Sequence, residues 1–227
     1  MHPLRTAIAL FGLTFGLSAH AAFLIEVDTD GTDDGVLTFN PNFAFGGDTT
    51  SASQSAPSTA LGLTGGDSIF GGNGSLQVDE YNYFYTPDSD SDNLSIPAGT
   101  PLNGDGSLSS GIAAGGSATY NVFATWPFTS SVSGGLTTFE LVDNDNNVLF
   151  NAAIDQNDGV NGAGNEWVLV GTAALEASTR YTLRQFPENN TFVSMRSAAV
   201  LFEPVPEPAT AALLGLGGLA MLRRRCA

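Results

Sequence analysis

The side chains of this chain that could do chemistry are almost all oxygen acids. Asp88, Asp90 and Asp92 alternate along one short stretch, as the first ligands of a calcium loop do. The pattern then departs from such a loop, because its sixth position is Asn93 rather than glycine and its twelfth is Gly99 rather than glutamate. Asp28, Asp30, Asp33 and Asp34 gather around Gly31, and Asp143 and Asp145 precede Asn147. Calcium is the cation such oxygen-only sets suit; the competing reading is that they are solvated turns. Glu26, Glu80, Glu140 and Glu166 could supply the paired carboxylates of a glycoside hydrolase, but spacing singles out no pair. Tyr81, Tyr83 and Tyr85 alternate, so a strand puts them on one face and Asn82 and Phe84 on the other. That face is either a polar-tipped binding stripe or cover for a sheet edge. Trp126 and Trp167 could stack on sugar rings or fill a core.

What is missing narrows the chemistry further. Both histidines, His2 and His20, lie near the N-terminus, the single cysteine is Cys226, and there is no lysine. Residues 22–204 therefore lack His, Cys and Lys altogether. That excludes the histidine base, the Ser-His-Asp and Cys-His arrangements, the Schiff-base lysine, and zinc held by nitrogen or sulfur. No catalytic residue is expected, and no cofactor beyond a calcium ion. The same stretch carries 22 acids against Arg180, Arg184 and Arg196, a net charge of −19. Such a surface repels phosphate backbones, so no nucleic-acid partner is expected.

The elements that must position these residues read as strands. Aromatic and β-branched runs alternate with Gly, Asn, Asp and Ser clusters. Strands are predicted over Phe23–Val27, Val36–Phe39, Gln77–Thr86, Ala118–Thr125, Leu136–Val142, Val148–Ile154, Glu166–Thr172, Thr179–Gln185 and Thr191–Phe202. Asn144 to Asn147 reads as a hairpin turn, since Asn and Asp tolerate a left-handed backbone. Residues 40–76 and 87–117 are poor in strand signals, and Thr49–Ser58 is expected to be a mobile loop. Strand signals are densest from 118 to 204. The expected class is all-β, a jelly-roll-like antiparallel β-sandwich over residues 22–204.

The two ends are of a different kind. Arg5 followed by an apolar run from Thr6 to Leu17 reads as a signal peptide over residues 1–21. Ala19 and Ala21 sit at the small-residue positions of a cleavage site. At the other end, Pro206, Glu207 and Pro208 precede an apolar run from Ala209 to Leu222, closed by Arg223, Arg224 and Arg225. Residues 205–227 resemble the PEP-CTERM sorting signal. The resemblance implies an exosortase, a membrane cysteine protease-transpeptidase, as processing partner. The apolar run would form a short helix covering roughly 21 Å, less than the ~30 Å of the hydrocarbon core. It suits an inner-membrane intermediate better than a permanent anchor, and the mature chain is expected to end upstream of Ala209.

Residues 118–204 carry a second pattern. Tyr120, Val122, Ala124, Trp126 and Pro127 form one strand motif; Trp167, Gly171 and Thr172 form another; Ala199, Val200 and Phe202 form a third. The set resembles the golvesin C-terminal, or Xly carbohydrate-binding-like, domain. The family's Asp and Arg of the last strand are Ala198 and Leu201 here. The resemblance implies a sandwich that acts as a binding module.

The expectation is thus an exported, non-enzymatic protein of the cell surface, outer envelope or extracellular matrix. Its expected partners are the export machinery, an exosortase-type enzyme and extracellular polysaccharide, with membrane contact through the C-terminal helix. A purely structural biofilm protein and a carboxylate-based glycoside hydrolase are the alternatives.

Overall fold

The computed structural model describes residues 22–30, 33–71, 79–87, 116–129, 135–157, 164–188 and 195–205. Twelve strands run through them: β1 (Phe23–Glu26), β2 (Phe43–Gly47), β3 (Ser53–Ser55), β4 (Ser68–Gly71), β5 (Asp79–Tyr85), β6 (Ala118–Thr125), β7 (Thr137–Val142), β8 (Val148–Ile154), β9 (Val168–Leu175), β10 (Tyr181–Pro187), β11 (Met195–Ser197) and β12 (Ala199–Pro204). A 3-10 turn covers Thr59–Thr64. The strands form three antiparallel sheets, ordered β1-β12-β6-β9, β2-β5-β10-β7-β8 and β11-β4-β3. The first strand pairs with the last, Phe23 opposite Phe202, so both ends of residues 22–204 meet in one sheet.

The four- and five-stranded sheets face each other through aromatic side chains. Tyr85 of β5 stacks between Phe23 of β1 and Phe202 of β12, with ring centroids 4.9 and 4.7 Å away. Tyr120 of β6 meets the same ring edge-on at 5.6 Å, and Trp126 stacks on Phe139 of β7 at 6.1 Å. Each such ring removes about 150–250 Å² from water, so this layer is the main apolar contribution to the fold. At one corner the sheets come closer still. A Cβ on Gly171 of β9 would lie 2.5 Å from the Phe150 ring of β8, so only glycine fits there.

Several strand expectations change. Ala118–Thr125 and Val148–Ile154 form as read. Val36–Phe39 is not a strand; only Phe39 bridges, to Asp28. The run 191–202 is broken at Ala198, where the chain leaves the three-stranded sheet and joins β12. Ala198 N–H donates to Thr125, and its carbonyl accepts from Val27. The largest correction is residues 40–76. They hold β2, β3, β4 and the 3-10 turn, and the expected mobile loop at 49–58 contains β3. Gly and Ser have poor intrinsic strand preference, but pairing with a formed neighbour supplies what their side chains do not.

The β7–β8 hairpin turn forms as expected. Asn146 takes φ 60°, and the Asp143 carboxylate accepts from the N–H groups of Asp145 and Asn147 and from the Asn147 side chain, each at 2.9 Å. Among the described residues no helix is long and apolar enough to cross a membrane. The signal-peptide and C-terminal segments, with Ala19, Ala21, Pro206, Glu207, Pro208 and Arg223 to Arg225, lie outside the described residues.

Candidate functional site

Alternation along β5 separates two faces, and the structure turns the tyrosines inward. Tyr81, Tyr83 and Tyr85 are each 0 % exposed, so the binding-stripe reading is corrected. The four-stranded sheet covers Tyr85, and Phe43 and Phe45 of β2 pack on Tyr81. Burial pushes the Tyr81 and Tyr83 hydroxyls up in pKa, so both stay neutral. Trp126 is also fully buried, its Nε1 donating to the Gln156 carbonyl at 3.2 Å. Trp167 is half-buried against the core, and its Nε1 is buried without a partner. No aromatic platform spans the two tryptophans.

The opposite face of the same sheet is the polar one. Registers place Ala44, Asn82, Arg184, Glu140 and Asn151 in one row across all five strands. Arg184 sits at its centre. Its Nε and Nη2 donate to Glu80 at 3.2 and 3.1 Å, and its Nη1 donates to Glu140 at 3.1 Å. Asn151 Nδ2 extends the row by donating to Glu140 at 3.3 Å. The paired Glu80 carboxylate, first of all, raises the Arg184 pKa. Gly46 makes room at the β2 edge, since a Cβ there would fall 2.1 Å from Asn82 Nδ2 and 2.7 Å from Glu80 Oε1.

Beside this row lies an open depression of about 380 Å³. Phe84, Thr182, Asn144 and Asn146 line it together with the Arg184 cluster. Arg180, four residues before Arg184 on the same face, lies 4.1 Å over the Phe84 ring. Two of the three arginines of residues 22–204 thus meet here. The signal was present in the sequence: Arg180, Thr182 and Arg184 alternate with Tyr181, Leu183 and Gln185. What it lacked were the partners, Glu80 and Glu140, which lie far from Arg184 in the chain.

The third arginine is structural. Arg196 of β11 is 2 % exposed, and it donates to the Pro127 carbonyl at 2.8 Å, the Gln156 carbonyl at 2.8 Å and Asn157 Oδ1 at 2.7 Å. Gln156 answers through both ends of its amide, and Gln185 donates to the Arg196 carbonyl. Burial lowers the arginine's pKa, and carbonyl oxygens stand in for a counter-ion.

A group of carboxylates is sealed rather than open. Glu26, Asp28 and Asp67 are each 1 % exposed. Asp28 accepts from Thr38 and Asp67 N–H groups at 2.8 and 3.1 Å, and Asp67 accepts from Gly35 at 3.0 Å. Neither oxygen of Glu26 has a partner, and burial, aided by Asp28, pushes its pKa up to about 8. Burial and the neighbouring Asp33 push Asp67 to about 6. Among the described residues no three His, Cys, Asp or Glu side chains are grouped to hold a metal ion. Asp143 and Asp145 serve the hairpin turn, while Asp88, Asp90 and Asp92 lie outside the described residues.

The PEP-CTERM protein-sorting motif matches residues 204–225. That match supports an exported protein that passes through the membrane to the cell surface and is processed by an exosortase-type enzyme. No curated protein matches the chain. The golvesin-like pattern of residues 118–204 finds no support in these comparisons.

Proposed function

We propose that this is a non-catalytic binding protein of the cell envelope or extracellular matrix, delivered by the PEP-CTERM route, whose folded part recognises polysaccharide on the outer face of the five-stranded sheet. The observation that carries the reading is the polar row centred on Arg184. Sugars offer hydroxyls that both donate and accept, and planar Arg, Glu and Asn groups fixed by one another answer both at little entropic cost. Phe84, with the Arg180 guanidinium over its ring, borders the row. The strand order supports a jelly-roll sandwich: β1-β12-β6-β9 opposite β5-β10-β7-β8 is a two-Greek-key arrangement, with β2 added at one edge.

Catalysis has little to work with here. Glu80 and Glu140 are committed to Arg184. Glu26 holds its proton to about pH 8 but is closed off from substrate.

The mature protein, titrated with polysaccharide from the producing cells, is expected to bind without releasing reducing sugar. Arg184→Met, checked for native circular dichroism, is expected to lose that binding; undiminished binding would move the site elsewhere. Reducing-sugar release abolished by Glu80→Gln or Glu140→Gln would establish a glycoside hydrolase instead. No binding, together with loss of matrix cohesion on deletion, would favour a structural matrix protein, the reading that the net charge of −19 suits best.

A further inference from the structure

The sorting motif starts inside the folded domain rather than beyond it. The match begins at residue 204, and Pro204 is the last residue of β12, paired with Tyr120 of β6. One residue on, Val205 N–H donates to the Thr119 carbonyl at 2.7 Å. Pro206 follows Val205 directly in the chain, so no spacer separates Pro-Glu-Pro from a hydrogen-bonded strand end. On its other side β12 is paired with β1 only as far as Phe202.

A protease holds the residues before its scissile bond in extended form, largely through main-chain hydrogen bonds. With the mature chain ending at Pro206, Glu207 or Pro208, the four residues before the cut include Val205 in every case. Its backbone N–H is bonded to Thr119 of β6. We propose that the β6–β12 end of the domain, Thr119–Asn121 against Glu203–Val205, is the surface at which the sorting enzyme meets the folded protein, and that release of Val205 from Thr119 gates processing. The inference rests on the exosortase reading given above. The local chemistry suits a gate of this kind. Beyond Phe202 the strand end is held from one side only, with β1 no longer paired to it. Phe202, fully buried between the sheets, keeps fraying from running inward.

The test follows conversion of the full-length precursor in the producing cell by pulse-chase, with the mature mass as readout. A Gly-Ser insertion of about six residues between Val205 and Pro206 frees the motif from the sheet. It is expected to speed conversion roughly five-fold, the factor one net hydrogen bond is worth. Thr119→Cys with Val205→Cys, in a Cys226→Ser background, ties the two strands together. Conversion is expected to stop until reductant is added. An insertion that leaves conversion unchanged or slows it, or a crosslink that leaves it unchanged, overturns the gate. Alanine at Pro206, Glu207 and Pro208 tests the underlying reading separately. Conversion that survives that replacement removes the exosortase reading, whereas conversion lost there but indifferent to the insertion removes the gate alone.

Discussion

The hydroxyls of Tyr83 and Ser197 share a hydrogen bond in the interior, joining β5 of the five-stranded sheet to β11 of the three-stranded one. Two residues away Tyr81 is just as buried, yet its hydroxyl has no partner. The pair makes a controlled comparison, because Tyr→Phe removes the same atom from both sites. Tyr83→Phe leaves Ser197 unanswered and is expected to cost about 1–2 kcal/mol. Tyr81→Phe removes an unpaired polar atom and is expected to be neutral or stabilising. Urea unfolding of both variants checks this, and equal losses would contradict it.

Glu26 makes stability depend on pH in an unusual direction. Its pKa is raised from an unfolded value near 4.5 to about 8, so the folded state holds the proton more tightly. Its contribution is complete below pH 4.5 and is lost as pH rises toward 8, by an amount on the order of 4 kcal/mol. Asp67, raised to about 6, adds to the same trend at lower pH. Glu26→Gln is expected to lose less stability than the wild type between pH 5 and pH 8. Parallel losses in the two proteins would show that another group is responsible.

Arg196 ties the end of β6, the end of the β7–β8 hairpin and β11 together through carbonyl acceptors. Arg196→Met fills similar volume but takes the guanidinium donor from the buried Pro127 carbonyl and leaves the Gln156 carbonyl with Trp126 Nε1 alone. A loss of about 3 kcal/mol is expected from chemical denaturation, well above that of an average substitution. A loss below 1 kcal/mol would mean that water reaches the site.

Gly171 is needed for space. Gly171→Ala drives a methyl group into the Phe150 ring and is expected to cost about 1–3 kcal/mol. Adding Phe150→Ala should make Gly171→Ala nearly free in that background, so the two losses should not add. Additive losses would place the strain elsewhere.

Local reading went furthest where a residue's neighbours in sequence are also its partners in space. The Asp143–Asn147 turn is closed by its own side chains, and β6 and β8 carry enough aromatic and β-branched residues to be found alone. The tail needed no fold at all, because Pro-Glu-Pro, the apolar run and the arginines are adjacent by covalent connection. β2, β3 and β4 were not legible because each is short and set among Gly and Ser, so that Phe43, Phe45, Ile69 and Phe70 read as strand residues only against a partner. Reading failed also at the site, where the tyrosines drew attention from Asn82, Phe84 and Glu80 on the other side of their own strand.

Residue order alone carries an acidic middle stretch without His, Cys or Lys, a period-two pattern, and a C-terminal sorting motif. These depend only on which residues are present and in what order. Which face of β5 is covered follows from three-dimensional packing, because its Tyr and its Asn and Phe set no preferred side until a second sheet packs on one. Packing likewise decided that Arg184 answers two glutamates, that Arg196 is buried, and that Glu26 is sealed beside Asp28. Each of those outcomes depends on residues far apart in the chain, whose charges and hydrogen bonds act across a few ångströms of space.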